Sequence, residues 1–223
     1  MARTDYISVI GMMMVIFFSS FVWADPDMLQ DVCPADLASD VTINGFACKR
    51  DASAHDFFFD GLVNPRSTDN IYKATVTLVM VQNFTGLNTM GMTLARIDFA
   101  PGGLNPPHSH PRASEIFFLM EGKLDVAFIT TDNKLYSKSV KSGEQFVFPR
   151  GLMHYQINNG KVPALAFAIF NSQSPGVQRA ATALFTSSPS VPNPVLAKAF
   201  GIGINEVKKI KSGLAPQNFP RSI

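Results

Sequence analysis

Charge is scarce in this chain and nearly balanced. Lysine and arginine number 19, aspartate and glutamate 17, for a formal net charge of +2, and charged residues make up only 16% of the 223. No basic stripe forms, which argues against a nucleic-acid partner. The low charge, together with 46% hydrophobic residues, 15 glycines and 15 prolines, is unlike a disordered or coiled-coil chain and suits a turn-rich globular one. The length does not demand a second domain. There is no internal repeat and no low-complexity tract. Long apolar runs are missing beyond the N-terminus: even "VPALAFAIF" has strand length, so no membrane span is expected there.

The one longer apolar run lies at the start. "MARTDYISVIGMMMVIFFSSFVWA" has Arg3 ahead of an apolar run from Val9 to Phe18, then short residues at Val22 and Ala24. That is the layout of a secretory signal peptide over residues 1–24, cleaved after Ala24, and its most apolar part is shorter than the roughly 20 residues a bilayer span needs. Secretion changes how the two cysteines read. In an oxidising compartment Cys33 and Cys48 would close a short loop, a bond worth about 3 kcal/mol on the loop-closure model. The only N-glycosylation sequon, "NFT", starts at Asn83.

From Ala74 onward short apolar runs alternate with turn residues. "YKATVTLVMVQ", "MGMTLARIDFA", "EIFFLMEGKLDVAFIT", "KLYSKSV", "EQFVFP", "MHYQINN" and "PALAFAIFN" follow one another with almost no helical period. This spacing predicts an all-β antiparallel sandwich or barrel. The Asp-Asn pair in "ITTDNKLYS" predicts a hairpin. Helical character comes late. "NPVLAKAFG" offers Asn193 as N-cap, Pro194 at the first helical position and Gly201 as stop, and "INEVKKIKSG" offers Asn205 as cap and Gly213 as C-cap. Val207, Ile210 and Leu214 fall on one face, so these helices should dock on a sheet or another subunit.

Chemistry concentrates in "PPHSHPRASE". In a strand His108 and His110 point to one face, so their imidazoles can share a metal. Pro111 then forces a turn or bulge that can return Glu115, of opposite parity, to the same point. His154 follows a Pro-Arg-Gly turn and opens a strand, so three of the four histidines could meet. The fourth, His55, reads as a surface or satisfied core residue. Three histidines and one carboxylate leave positions open on a metal that prefers five or six ligands, and by ligand type Mn, Fe, Zn, Ni and Cu all fit.

These residues resemble a family. "GGLNPPHSHPRASEIFFLMEG" matches the first cupin motif through Gly102, His108, His110, Glu115 and Gly122. "GEQFVFPRGLMHYQIN" matches the second through Gly143, Pro149, Gly151, His154 and Asn158. "DPDMLQDVCPADL", "NGFACK", "RIDFAPGG", "PRGLMH", "FNSQSPG" and "PVLAKAF" extend the likeness to plant germins and germin-like proteins over residues 25–223. The resemblance implies a single-domain β-jelly-roll barrel, core about 60–190, with C-terminal helices at about 193–213. It implies Mn(II) on His108, His110, Glu115 and His154, a Cys33–Cys48 disulfide, and a hexamer built as a trimer of dimers in the cell wall or apoplast, with a role in plant defence.

Oxalate-oxidising germins line their pocket with two asparagines. One matches Asn105, whereas the position of the other holds Ala95. The expectation is therefore little oxalate oxidase activity. Superoxide dismutation, which asks only for a redox metal and access for a small anion, ranks first among enzyme readings. The competing class is a non-enzymatic structural or receptor-type wall protein.

Overall fold

The computed structural model describes residues 31–41 and 45–214; the signal peptide expected at 1–24 lies outside them. Ten strands form two five-stranded antiparallel sheets. The first sheet has the order β1 (Ala74–Leu78), β2 (Thr93–Phe99), β9 (Ala164–Phe170), β4 (Glu115–Glu121) and β7 (Gln145–Phe148). The second has the order β10 (Gln178–Arg179), β3 (Leu104–Ser109), β8 (Met153–Ile157), β5 (Lys123–Ile129) and β6 (Leu135–Lys141). This is the antiparallel sandwich expected from the strand spacing, in the jelly-roll form that the cupin resemblance implies. No described helix is long and apolar enough to cross a membrane.

Period-two alternation determines which side chains reach the space between the sheets. On β4, Glu115, Phe117 and Leu119 are buried, while Ile116 and Met120 are exposed on the outer face. The central strand β9 presents Ala164, Ala166 and Ala168 inward. Each alanine lies beside a large partner on a flanking strand: Ala168 opposite Phe117, Ala166 opposite Leu119 and Ile97, Ala164 opposite Phe99. Small residues in the middle strand leave the volume that the large neighbours fill, and this keeps a two-sheet core dense. The expected hairpin joins β5 and β6, with Asn133 in the left-handed region at φ 62°.

A disulfide between Cys33 and Cys48 closes a loop within the N-terminal segment. Asn88 reinforces it: its side-chain amide donates to the Phe46 carbonyl at 2.9 Å, and the Ala35 amide donates to the Thr85 carbonyl at 2.9 Å.

Three helices follow the strands: α1 (Ala180–Phe185), α2 (Asn193–Phe200) and α3 (Ile204–Leu214). The first was not foreseen, being only six residues long and without a cap signal. Asn193 is not a cap; it is the first helical residue, and Pro192 holds the cap position. Asn205 and Gly213 are both inside α3, which runs on to Leu214 because that side chain packs on a cluster of Phe185, Leu196 and Val207. Packing thus overrides the cost of an interior glycine. Gly201 does stop α2, with φ 64° in the left-handed region. The apolar faces of these helices cover one another, α1 also lies against β3 and β10 of the second sheet, and Ile210 stays partly exposed.

Candidate metal centre

Local sequence sets the two neighbouring histidines. β3 reads Leu-Asn-Pro-Pro-His-Ser, and two prolines in succession cannot donate to a ladder. The pairing of β3 with β8 shifts register between Asn105 and His108, as a bulge does. The shift puts Asn105 and His108 on the same buried side although three positions separate them. His110 follows, just past the strand end, and the turn at 111–112 delivers Glu115 to the first inward position of β4.

Register does the rest. Across the second sheet His108 stands opposite His154. Across the first, Glu115 stands between Phe148 and Phe170. Those two rings wrap the imidazoles: Phe148 stacks on His154 with centroids 4.4 Å apart, and Phe170 meets His110 edge-on at 4.6 Å. His108, His110, Glu115 and His154 are all buried, and one ligand atom from each lies within 4.8 Å of every other. It is the one such group found among the described residues.

Each imidazole is oriented through its far nitrogen. Nδ1 of His108 lies 2.8 Å from the Pro106 carbonyl, Nδ1 of His110 lies 2.6 Å from that of Gly176, and Nδ1 of His154 lies 2.8 Å from that of Leu152. A carbonyl only accepts, so each Nδ1 carries the proton and each neutral ring turns an Nε2 lone pair inward. Glu115 Oε2 also bears lone pairs, and it stands 3.2 Å from His110 Nε2 and 3.3 Å from His154 Nε2. Glu115 Oε2 and His154 Nε2 are buried without a hydrogen-bond partner. Acceptors converging at this range, shut away from water, repel unless a cation lies among them. The donor set therefore fits a metal ion, and these four residues form a metal-binding site.

The electrostatics agree. Burial, reinforced by the charges that His154 and His110 would carry, holds His108 well below the ordinary histidine value of 6.5 and so keeps it in its metal-ready neutral form. Burial pushes the Glu115 carboxyl up, but hydrogen bonds and positive charge from the His110 and His154 rings, the part a bound cation would take over, outweigh it and hold the group at about 2.

Beside the cluster is a cavity of about 30 Å³, room for roughly two waters. Ala95, Asn105 and Phe170 line it together with His108, His110 and Glu115. Asn105 donates from its side-chain amide to Gln156 Oε1 at 2.8 Å, and both residues are buried. The sequence did not single out Gln156, Phe148, Phe170 or Arg179, another lining residue. Their roles depend on strand register, which no local motif carries. His55 is exposed and away from the cluster. Asn83 is exposed in a loop, where its Oδ1 accepts from the Met80 amide at 2.7 Å.

Comparison with known proteins points the same way. The cupin family pattern matches residues 60–208. The chain is 56% identical over 193 residues to germin-like protein 5-1 of Oryza sativa subsp. japonica, covering 86% of this chain and 87% of that one. It is 54% identical over 193 residues to the rhicadhesin receptor of Pisum sativum, covering 86% and 89%. A solved structure of recombinant oxalate oxidase in complex with glycolate superposes with a TM-score of 0.83 at 45% identity, over 86% of this chain and 98% of that one.

Proposed function

Given that this chain belongs to the germin-like family of cupins, we propose that it is a secreted manganese protein of the plant apoplast that dismutates superoxide and does not act as an oxalate oxidase. The observation that carries the reading is the convergence of three imidazole Nε2 atoms and one carboxylate on a single buried point beside a small cavity. When bound there, manganese supplies one-electron exchange at coordination positions that the four protein ligands leave open.

The chain's own residues do the remaining work. The carbonyls of Pro106, Gly176 and Leu152 fix the tautomer and ring plane of each histidine. Phe148 and Phe170 keep bulk water from the ligand atoms. The cavity has room for a diatomic anion such as superoxide beside the ligand atoms. Ala95 argues against oxalate. Its methyl group lines the cavity where a resembling oxidase places an amide, and a lost hydrogen bond to a charged ligand costs roughly 1.5 to 3 kcal/mol.

Secretion is supported by the Cys33–Cys48 disulfide, a bond that persists in oxidising compartments. On this reading residues 1–24 are the signal peptide, residues 25–223 form the mature cupin domain, and the exposed Asn83 carries a glycan. Assembly as a hexamer, a trimer of dimers, has support on the first sheet. Ile169, Ile116 and Val147 stand side by side on its outer face, 45%, 44% and 56% exposed, as a surface that a second copy would cover.

A second reading is a non-enzymatic wall receptor or scaffold involved in defence, favoured by the likeness to a protein named as a receptor. One experiment separates the readings. Purified, manganese-loaded protein is assayed for superoxide consumption and for peroxide release from oxalate, beside a metal-stripped sample. Superoxide consumption only in the loaded sample is expected. Peroxide from oxalate at comparable rates would overturn the exclusion, and a metal-dependent melting temperature without turnover would favour the scaffold.

A further inference from the structure

The cavity beside the metal ligands has two unlike walls. Val76, Leu78, Ala95, Ile97 and Phe170 make most of the side that belongs to the first sheet, an apolar surface whose one charged member is the metal ligand Glu115. On the side of the second sheet the lining includes Arg179, the only permanent cation among the lining residues.

Its position follows from register. The two-residue strand β10 pairs antiparallel with β3 so that Arg179 stands opposite His108, and His108 stands opposite His154. Residues directly opposite in antiparallel strands project to the same face, so Arg179, His108 and His154 form one row along the inner side of the sheet. The segment leading into Arg179 is firmly held. The Arg112 backbone amide donates to the Pro175 carbonyl at 3.1 Å, the Arg112 guanidinium donates to Ser174 Oγ at 3.0 Å, and the Gly176 carbonyl accepts from His110 Nδ1 at 2.6 Å. One short strap therefore both orients a metal ligand and positions a guanidinium beside the cavity.

A positive side chain against an apolar wall acts in a medium of low effective dielectric, where its field on a small anion is much stronger than in water. The guanidinium fork also matches the paired oxygens of a carboxylate and is only weakly hydrated. On the opposite wall Ala95 offers no donor. We infer that Arg179 is a specificity-determining residue that recruits a small monoanion, of superoxide size or a short carboxylate, to the open side of the metal. This inference rests on the manganese reading given above and deepens it. Burial lowers the Arg179 pKa while Tyr72 opposes the shift, and an arginine starts so high that it remains charged.

The test uses the full chain loaded with manganese, titrated with azide and separately with glycolate, each followed by the change in the manganese electron paramagnetic resonance signal. Arg179→Gln and Arg179→Lys are compared with the parent, with metal content measured by elemental analysis. Arg179→Gln is expected to weaken both anions by at least about tenfold at unchanged metal content. Arg179→Lys should recover azide affinity more than glycolate affinity, because a lysine keeps the charge and loses the fork. Added salt should weaken anion binding more in the parent than in Arg179→Gln. Equal anion affinities in the parent and Arg179→Gln would overturn the inference. So would loss of metal in both variants, which would make Arg179 a structural support of the site. Weaker anion binding in Arg179→Gln, with no superoxide turnover in any of the proteins, would leave the inference standing and sink the dismutase reading instead.

Discussion

The two sheets share one core and are built on different rules. In the first, the inward positions are almost wholly apolar: alanines on β9 face Phe117, Leu119, Ile97 and Phe99, Glu115 is the only inward carboxylate on β4, and the one register shift between β4 and β9 falls past Leu119, away from Glu115. In the second, a double proline breaks the register of β3, and the inner row carries His108 and His154 with Arg179 at its edge. The apolar sheet supplies rigidity, one anionic ligand and two phenylalanine shields, whereas the polar sheet supplies imidazoles. A site with this many buried polar groups is tolerable because the opposite wall is so uniformly packed. That wall holds the ligands at a fixed separation and leaves the cavity only a small volume.

The largest effect should come from removing a ligand from either sheet. Glu115→Gln and His154→Ala are each expected to abolish stoichiometric metal while far-UV circular dichroism stays like the parent's, and elemental analysis decides it. Retained metal in Glu115→Gln would show that the second sheet suffices alone.

Next come the cores. Phe117→Ala in the first sheet should lose about 3–5 kcal/mol in denaturant unfolding, and Leu124→Ala in the second about 2 kcal/mol, at the low end for such truncations. Equal losses would mean that the first sheet is not the more tightly packed. Overfilling the small central strand should cost less: Ala168→Leu is expected to destabilise by about 1–3 kcal/mol, because Phe117 and Ala95 on the neighbouring strands must yield.

The smallest effect is a pH slope in metal-stripped protein. Below 6.5 the unfolded chain protonates His108 while the folded chain resists, so the unfolded state binds more protons and stability falls as pH drops. Below 4.5 Glu115 adds to the same trend, since it protonates when unfolded and stays charged when folded down to about 2. Denaturation midpoints should therefore decline steadily from neutral pH to about pH 4, and bound metal should raise the midpoints and steepen that decline, because a loaded site keeps its ligands unprotonated. A flat profile without metal would contradict the burial of a neutral His108.

The legible part of the site was local. His108 and His110 share a face by period two, Pro111 demands a turn, and the turn before His154 opens a strand. These features lie within a few residues of each other and need no partner to be read. The illegible part was cross-strand. Phe148 and Phe170 flank Glu115, and Arg179 faces His108, only because strands distant in sequence pair in one register. Helix ends were also misread where packing overruled capping: Gly213 looks like a stop, yet Leu214 extends α3 to reach the Phe185 cluster.

Sequence alone determined the strand-rich class, the pair of cysteines and the four ligand types, because each follows from side-chain chemistry and short-range periodicity. Tertiary structure alone decided that lone pairs from two sheets would face one another at 3.2–3.3 Å and that an arginine would stand beside them. Register is a property of pairs of strands, and its energy comes from burying both sheets at once, which no single segment of the chain encodes.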